Sequence, residues 1–119
     1  MIRSAQELFD TSVNALRKQG KKSTYSDNSG SVCQYRAPDG CKCAIGHLIP
    51  DDEYMPIMEG MDVHGIFRFL NDKRKMEFVN NENLLYTLQN IHDNYNVAEW
   101  EAQWKWVATR LYSLNYKEV

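Results

Sequence analysis

Three cysteines and a histidine lie close together in the 119-residue chain, and all four side chains are of types that bind zinc. They are Cys33, Cys41, Cys43 and His47, in the pattern C-x7-C-x-C-x3-H. Structural zinc sites more often use two cysteines separated by about two to four residues, whereas a single residue separates Cys41 from Cys43. We therefore expect the three thiols to be small buried apolar side chains with no cofactor bound, and a zinc-stabilised domain is the alternative.

The same cysteines do not predict an enzyme. A catalytic thiol needs a low pKa and a base within hydrogen-bonding distance, and the available bases are His47, His64 and His92. No spacing in the sequence brings one of these histidines to a cysteine. Asp93 follows His92, but neighbouring residues of a helix point in different directions, which argues against a His–Asp pair. We expect no catalytic residues and a protein that is not an enzyme.

Basic and aromatic residues offer a second kind of chemistry. Arg36, Lys42 and Arg74 have side chains that bind phosphate, and the ring of Tyr35 is suited to stack on a nucleotide base. The whole chain has 16 acidic and 14 basic residues, a net charge of -2, which argues against nucleic acid as a partner. Sequestration of a small nucleotide signal is therefore one hypothesis for function, with these residues as the ligand-binding set.

A tryptophan in the last predicted helix lies away from that helix's apolar side. The apolar stripe recurs in steps of three and four residues: Val97, Trp100, Trp104, Val107, Leu111 and Leu114. At about 100° per residue, Trp106 falls roughly 130° from this stripe, on the side of Ala102, Thr109 and Tyr112. Either another part of the domain covers Trp106, or it anchors a partner protein. We predict a partner-binding face made of these four residues, with a homodimer through the same face as an alternative.

The first helix is predicted from signals at both of its ends. Ser4 and Glu7 have the spacing of a capping box, in which each side chain bonds the other residue's backbone N–H. Gly20 supplies a stop signal directly after a basic last turn. We therefore expect a helix over 5–19.

Three further helices are predicted from polar residues that favour helix N-termini. They are a helix over 63–70 capped by Asp62, a helix from Asn80 or Asn81 to about Asp93, and the last helix, which Asn96 and Glu99 begin. We expect residues 48–60 to be compact but irregular because Pro56 interrupts them, and residues 71–75 to be a polar connection.

Residues 31–46 are predicted to form a β-hairpin, because Pro38-Asp39-Gly40 is a turn signal. A three-residue loop gives the opposed pairs Ala37 with Cys41, Tyr35 with Cys43, and Cys33 with Ile45. This register places all three cysteines on the inner face. The preceding residues 20–31 carry almost no apolar side chain, and we expect a flexible loop there.

Together these elements predict one small α+β domain, 1–119, with about four helices packed around the hairpin. Its 43% hydrophobic and 25% charged residues are ordinary for one globular domain. The longest apolar runs, such as Trp106-Val107-Ala108, have three residues, so no membrane span is expected. The polar start of the chain and the odd number of cysteines favour a cytoplasmic protein without a secretory signal.

The central segment contains the motifs Cys33-x-Tyr35-Arg36, Pro38-x-Gly40, Lys42-Cys43-Ala44-x-Gly46, Leu48-Ile49-Pro50-Asp51, Tyr54 and Met58-Glu59-Gly60. On these motifs the chain resembles a family of small, uncharacterised proteins of tailed bacteriophages and prophages. It implies a phage origin and the cytoplasm of an infected bacterium as location, and it assigns no catalytic residues. With this origin, the predicted Trp106 face favours an accessory protein that binds a host bacterial protein stoichiometrically, as host-takeover or counter-defence inhibitors do.

Overall fold

The computed structural model describes residues 2–27 and 30–118, which form a small α+β domain as predicted. Within these residues the α-helices are α1 (Ala5–Gln19), α2 (Val63–Ile66), α3 (Asp72–Asn80), α4 (Glu82–Asn94) and α5 (Trp100–Trp106). Two antiparallel strands, β1 (Thr24–Asp27) and β2 (Gly30–Cys33), form the sheet. Single turns of 3-10 helix cover Gly46–Leu48, Pro56–Met58, Phe67–Phe69 and Val97–Glu99, and a π-helical turn covers Val107–Leu111.

The capping signals predicted the helix starts correctly. The Ser4 hydroxyl accepts the Glu7 N–H at 3.2 Å, and the Glu7 carboxylate accepts the Ser4 N–H at 3.0 Å, so α1 begins with a complete capping box. Gly20 follows α1 with φ of 72°, in the left-handed conformation that glycine adopts at low cost. Asp62 accepts the Gly65 N–H at 2.8 Å and caps α2, as predicted.

The segment 71–75 is not the polar connection that was predicted. It is the start of α3, because Asn71 caps this helix by accepting the Arg74 N–H at 2.8 Å. Asp72, Lys73 and Lys75 are exposed, whereas Glu77 and Phe78 are fully buried and hold the helix to the core. The structure therefore has one helix more than predicted between the 63–70 helix and α4.

The hairpin lies earlier in the chain than predicted. Residues 20–31 were expected to be a loop, yet they contain β1 and the start of β2, with Tyr25 paired to Val32 and Thr24 to Cys33. Polar residues are tolerated in these strands because most of their side chains are exposed, including those of Tyr25 and Val32. The part of the predicted loop at residues 28 and 29 lies outside the described residues.

Of the hairpin predicted at 31–46, the structure contains one antiparallel bridge, between Arg36 and Lys42. Its register is the predicted one, since the Ala37 N–H bonds the Cys41 carbonyl at 2.8 Å. The ladder does not extend further because Cys33 pairs with Thr24 of β1 and a 3-10 turn begins at Gly46. The prediction of a 31–46 strand pair was therefore wrong beyond its turn.

Two apolar clusters form the core, and α1 contributes to both. Leu8 packs with the central segment, α2 and Phe78 of α3. Phe9, Val13 and Leu16 pack with α4 and α5. The inner positions Tyr35, Ala37, Cys41, Cys43 and Ile45 are buried as predicted, whereas Cys33 is only partly buried.

Candidate functional site

The predicted face of the last helix is exposed. Trp106 is 52% exposed, whereas Trp100 and Trp104 of the same helix are buried in the core. Ala102 and Thr109 are also exposed, on the side of the helix that carries Trp106. The helical period therefore placed Trp106 correctly, and no other part of the described domain covers most of its ring.

A π-helical turn changes the end of this helix. The Tyr112 N–H bonds the carbonyl of Val107, five residues earlier, at 3.2 Å. A π turn holds more residues than an α turn, so it rotates the following residues away from the α-helical phase. Leu111, which was predicted to lie in the buried stripe, is the last residue of this turn and is 55% exposed. It adds an apolar side chain to the exposed surface of the helix.

Tyr112 belongs only in part to the predicted face. It is partly buried, and its hydroxyl lies 3.1 Å from Thr87 Oγ1 of α4. The accessible part of the predicted face is therefore Ala102, Trp106 and Thr109, which we call the Trp106 face. Arg110 is exposed one turn after Trp106, and Lys105 is exposed but pairs with Glu118 at 3.3 Å.

The four residues predicted as zinc ligands do not come together. His47 Nε2 lies 2.9 Å from the Gln19 side-chain oxygen, and the Cys43 sulfur accepts the Gly46 N–H at 3.3 Å. Burial, helped by nearby cations, lowers the pKa of His47 to about 4, so its ring is neutral at physiological pH. Cys41 and Cys43 are buried free thiols, which is the structural role that we expected.

A different group, Cys33, His92 and Asp93, brings its ligand atoms within 4.8 Å of one another. His92 is fully buried, and its Nε2 accepts the Ser23 N–H at 3.1 Å. The ring proton is therefore on Nδ1, which donates to Asp93 Oδ1 at 2.8 Å. A metal needs a free nitrogen lone pair, and here both ring nitrogens are already engaged. These residues do not fit a zinc ion. His92 and Asp93 do form a His–Asp pair, against the prediction made from their neighbouring positions on a helix.

The same group does not fit a cysteine nucleophile. Burial and the hydrogen bond to Asp93 raise the pKa of Cys33 to about 11, so the group is a thiol at neutral pH. A His92 ring nitrogen lies within 4.8 Å of the Cys33 sulfur, but Nε2 accepts the Ser23 N–H and Nδ1 donates to Asp93. A catalytic arrangement requires a ring nitrogen that is free to take the thiol proton. Cys33, Asp93 and His92 instead tie β2 to the end of α4.

The structure brings two of the predicted nucleotide-binding residues, Arg36 and Lys42, to the same carboxylate, but it places Arg74 elsewhere, and all three are already paired. Arg36 bonds Asp51 at 2.8 Å, and its guanidinium lies 4.5 Å above the ring of Tyr54. Lys42 lies 3.6 Å from the same Asp51 oxygen. Arg74 bonds Glu77 at 2.7 Å, in a different cluster. Tyr35 is buried, with its hydroxyl donating to the Met61 carbonyl at 2.6 Å. The structure therefore does not assemble a phosphate site from Arg36, Lys42 and Arg74.

Residues between Cys33 and Gly60, which we call the central string, hold one another in place. The Glu59 carboxylate accepts the backbone N–H groups of Tyr35 at 2.9 Å and Arg36 at 3.0 Å, and it also accepts the Tyr54 hydroxyl. Gly46 passes so close to Tyr35 that an added Cβ would overlap the Tyr35 carbonyl oxygen. These contacts give the string a structural role and leave its side chains little free bonding capacity.

A groove of about 600 Å³ runs between β2, residues 60–63 and α4. Its polar walls include Asp62, Gln89, Asn90 and Asp93. Among the described residues that line it there is no lysine, arginine or histidine, so the groove is acidic. Sequence reasoning missed it, because residues 32–35 and 86–94 become neighbours only through the fold.

Comparisons with known proteins give no assignment. The chain matches no protein-family model, no curated protein and no solved structure. None of the described helices is long and apolar enough to cross a membrane. The function must therefore be argued from the Trp106 face and the groove themselves.

Proposed function

We propose that this chain is a non-enzymatic bacteriophage accessory protein that binds a host bacterial protein stoichiometrically, in the cytoplasm of the infected cell, and thereby inhibits it. The observation that carries the proposal is Trp106, which stays half exposed on a helix whose other two tryptophans are buried. The phage context is supported by the resemblance of the central string.

The chemistry of the Trp106 face suits a protein partner. An aromatic side chain that becomes fully buried on binding removes a large apolar area from water, and tryptophan is enriched among residues that dominate binding energy. Leu111, in the π turn that follows, is a further exposed apolar side chain. Arg110 supplies a positive charge one turn after Trp106, which suits a partner with an acidic residue beside an apolar pocket.

The proposal is tested by comparing three tagged proteins in capture from bacterial lysate. They are the wild type, Trp106→Ala, and Met76→Ala, whose side chain is 55% exposed on α3. Both variants change an exposed side chain, so we expect each to keep a free energy of unfolding within about 1 kcal/mol of wild type. The partner should be retained by the wild type and by Met76→Ala and lost by Trp106→Ala.

Calorimetry with the purified partner then measures stoichiometry and affinity. A one-to-one complex that Trp106→Ala weakens roughly tenfold or more supports the proposal. A partner held equally by Trp106→Ala contradicts the assigned face. A nucleotide released on heating, without any protein partner, would favour the sequestration hypothesis instead. A dimer that dissociates on Trp106→Ala substitution would show that the face binds a second copy of this chain.

A further inference from the structure

We propose that the groove between β2 and α4 binds an extended, basic segment of a partner protein, which adds to β2 as a third strand. This surface is separate from the Trp106 face, and the inference does not depend on the partner that Trp106 contacts. Its parts are the open edge of a strand, a polar helix wall opposite it, and two carboxylates between them.

The open edge belongs to β2. The sheet has two strands, so β2 pairs with β1 along one edge only. The Gln34 N–H bonds the Ser23 carbonyl at 3.0 Å, and in an antiparallel pair the hydrogen-bonded residues alternate along each strand. Val32 therefore points its backbone groups toward β1, while Ser31 and Cys33 point theirs away from it. Cys33 lines the groove, so its border includes a strand edge able to accept another strand. This edge ends at Cys33, because the Tyr35 N–H bonds Glu59 and the Tyr35 carbonyl accepts the Cys43 N–H.

The opposite wall is one face of α4. Tyr86, Gln89, Asn90 and Asp93 line the groove at intervals of three and four residues, which aligns them along the helix. Their span of about 10 Å along the axis equals the length of roughly three residues of extended chain. The Gln89 amide already bonds Asp93 and the Ile45 N–H, and the Asn90 oxygen accepts from Asn94, so the N–H groups of Asn90 are the amide donors suited to bond a peptide carbonyl. A channel between an edge strand and a helix is the setting in which proteins bind extended peptides by strand addition.

Charge determines which peptide fits. Asp62 and Asp93 lie in the groove lining, which contains no cationic residue among those described. Burial opposes ionisation of Asp93, but hydrogen bonds from His92 and Cys33 outweigh it and hold the pKa of Asp93 below its usual value. The aromatic ring of Tyr86 adds a surface that favours cations. The Lys22 amine bonds the Asp93 main-chain carbonyl, and the Asp93 carboxylate already accepts from His92 and Gln89. Asp62 is therefore the groove carboxylate that is more available to a cationic side chain.

The first test is selection of heptapeptides from a random displayed library on the immobilised full chain. We expect the selected peptides to carry Lys or Arg at alternate positions, because alternate side chains of a strand face the same side. A synthetic peptide of the selected sequence should bind Asp62→Asn about tenfold more weakly than wild type. Asparagine is as good a helix N-cap as aspartate, so this variant removes the charge and keeps α2.

Two matched controls locate the binding. Asp52→Asn removes an exposed carboxylate outside the groove lining, and Trp106→Ala alters the other surface. Both should bind the peptide with wild-type affinity. Selected peptides that lack basic residues, or that bind Asp62→Asn as well as wild type, overturn the inference. Peptides lost on Trp106→Ala alone also overturn it, although they would support the proposed function.

Methylation of the peptide backbone tests the strand pairing directly. A peptide added to β2 donates from alternate N–H groups, so N-methylation of one alternate set should abolish binding and methylation of the other set should not. Equal tolerance of both sets would overturn strand addition. The absence of any selected peptide would overturn the groove as a peptide site, as would a dimer of the unliganded chain that Asp62→Asn dissociates.

Discussion

Replacing Glu77 by alanine should destabilise the domain more than replacing any exposed carboxylate. The Glu77 side chain is 1% exposed and bonds Arg3 Nη2 at 2.8 Å and Arg74 Nη1 at 2.7 Å. It also accepts the backbone N–H of Arg3 at 2.7 Å, so it joins the start of the chain to α3. Without Glu77, the Arg3 guanidinium loses its carboxylate partner, and Arg74 keeps only the longer contact of its Nε with Glu53 at 3.5 Å.

The magnitude follows from the burial of the partners. Removing one member of a buried ion pair costs about 3–5 kcal/mol, because the other charge stays desolvated. The side chains of Arg3 and Arg74 are 24% and 17% exposed, so each regains part of its hydration when Glu77 is lost. We therefore expect Glu77→Ala to lose about 3 kcal/mol, a large share of the roughly 5–15 kcal/mol that stabilises a typical domain.

Urea unfolding followed by tryptophan fluorescence measures this loss, since Trp100 and Trp104 are buried in the core. Asp52→Ala is the control, because this carboxylate is exposed and its removal should change the free energy of unfolding by about 0.5 kcal/mol or less. If Glu77→Ala lies within about 1 kcal/mol of wild type, the argument from an uncompensated buried charge is refuted.

Acidification should remove the same contribution. Burial alone would raise the pKa of Glu77, but the N–H groups of Arg3 and Arg74 outweigh it and hold that pKa below the usual value. A carboxyl group with a lowered pKa in the folded state stabilises above its unfolded pKa, and this contribution disappears as pH falls through the folded pKa. The difference in free energy of unfolding between wild type and Glu77→Gln should therefore shrink below about pH 4. A difference that stays constant down to pH 2 would contradict the ion pairs.

Three other predictions concern the central segment. Gly46→Ala should lower the free energy of unfolding by about 3 kcal/mol or more in the same urea assay, because the added Cβ would overlap the Tyr35 carbonyl. A loss below about 1 kcal/mol would contradict that contact. In the native protein a maleimide should add to Cys33 alone, because Cys41 and Cys43 are buried, and the reaction should be slow because the pKa of Cys33 is raised to about 11. Intact-mass analysis measures the labelling, and equal labelling of Cys43 would contradict this prediction. A chelator should leave the melting temperature unchanged and metal analysis should find no stoichiometric zinc, whereas a chelator-dependent melting temperature would restore the zinc hypothesis.

Local signals in the sequence determined much of the helical structure. The capping residues Ser4, Asp62 and Asn96 bond their own helix N-termini, and each bond involves residues three positions apart. The helical period likewise placed Trp106 outside the core. It was wrong for Leu111, which lies in the π turn and is exposed. These predictions succeeded because the interactions that decide them lie within a single helical turn.

Long-range contacts decided the parts that were predicted wrongly. The turn at Pro38-Asp39-Gly40 has the predicted register, but the Glu59 carboxylate takes the Tyr35 and Arg36 N–H groups. The sequence of β1 predicts a loop because it is polar. The position of this strand depends on a long-range hydrogen bond, from the Ser23 N–H to the buried His92 ring. The acidic groove forms because the fold brings β2 close to α4. No local pattern in the sequence predicts that these two elements become neighbours.

The two proposed binding surfaces lie mainly outside the string that carries the family resemblance. Within that string Arg36, Asp51, Tyr54 and Glu59 bond one another, and Gly46 permits the chain to pass Tyr35. Such residues specify how the central segment folds, because their polar groups are used inside it. Trp106, Asp62 and Asp93 are not part of the central string. A protein that shares only this string would therefore share the fold of the segment, while its partner would depend on the residues at the Trp106 face and along the groove.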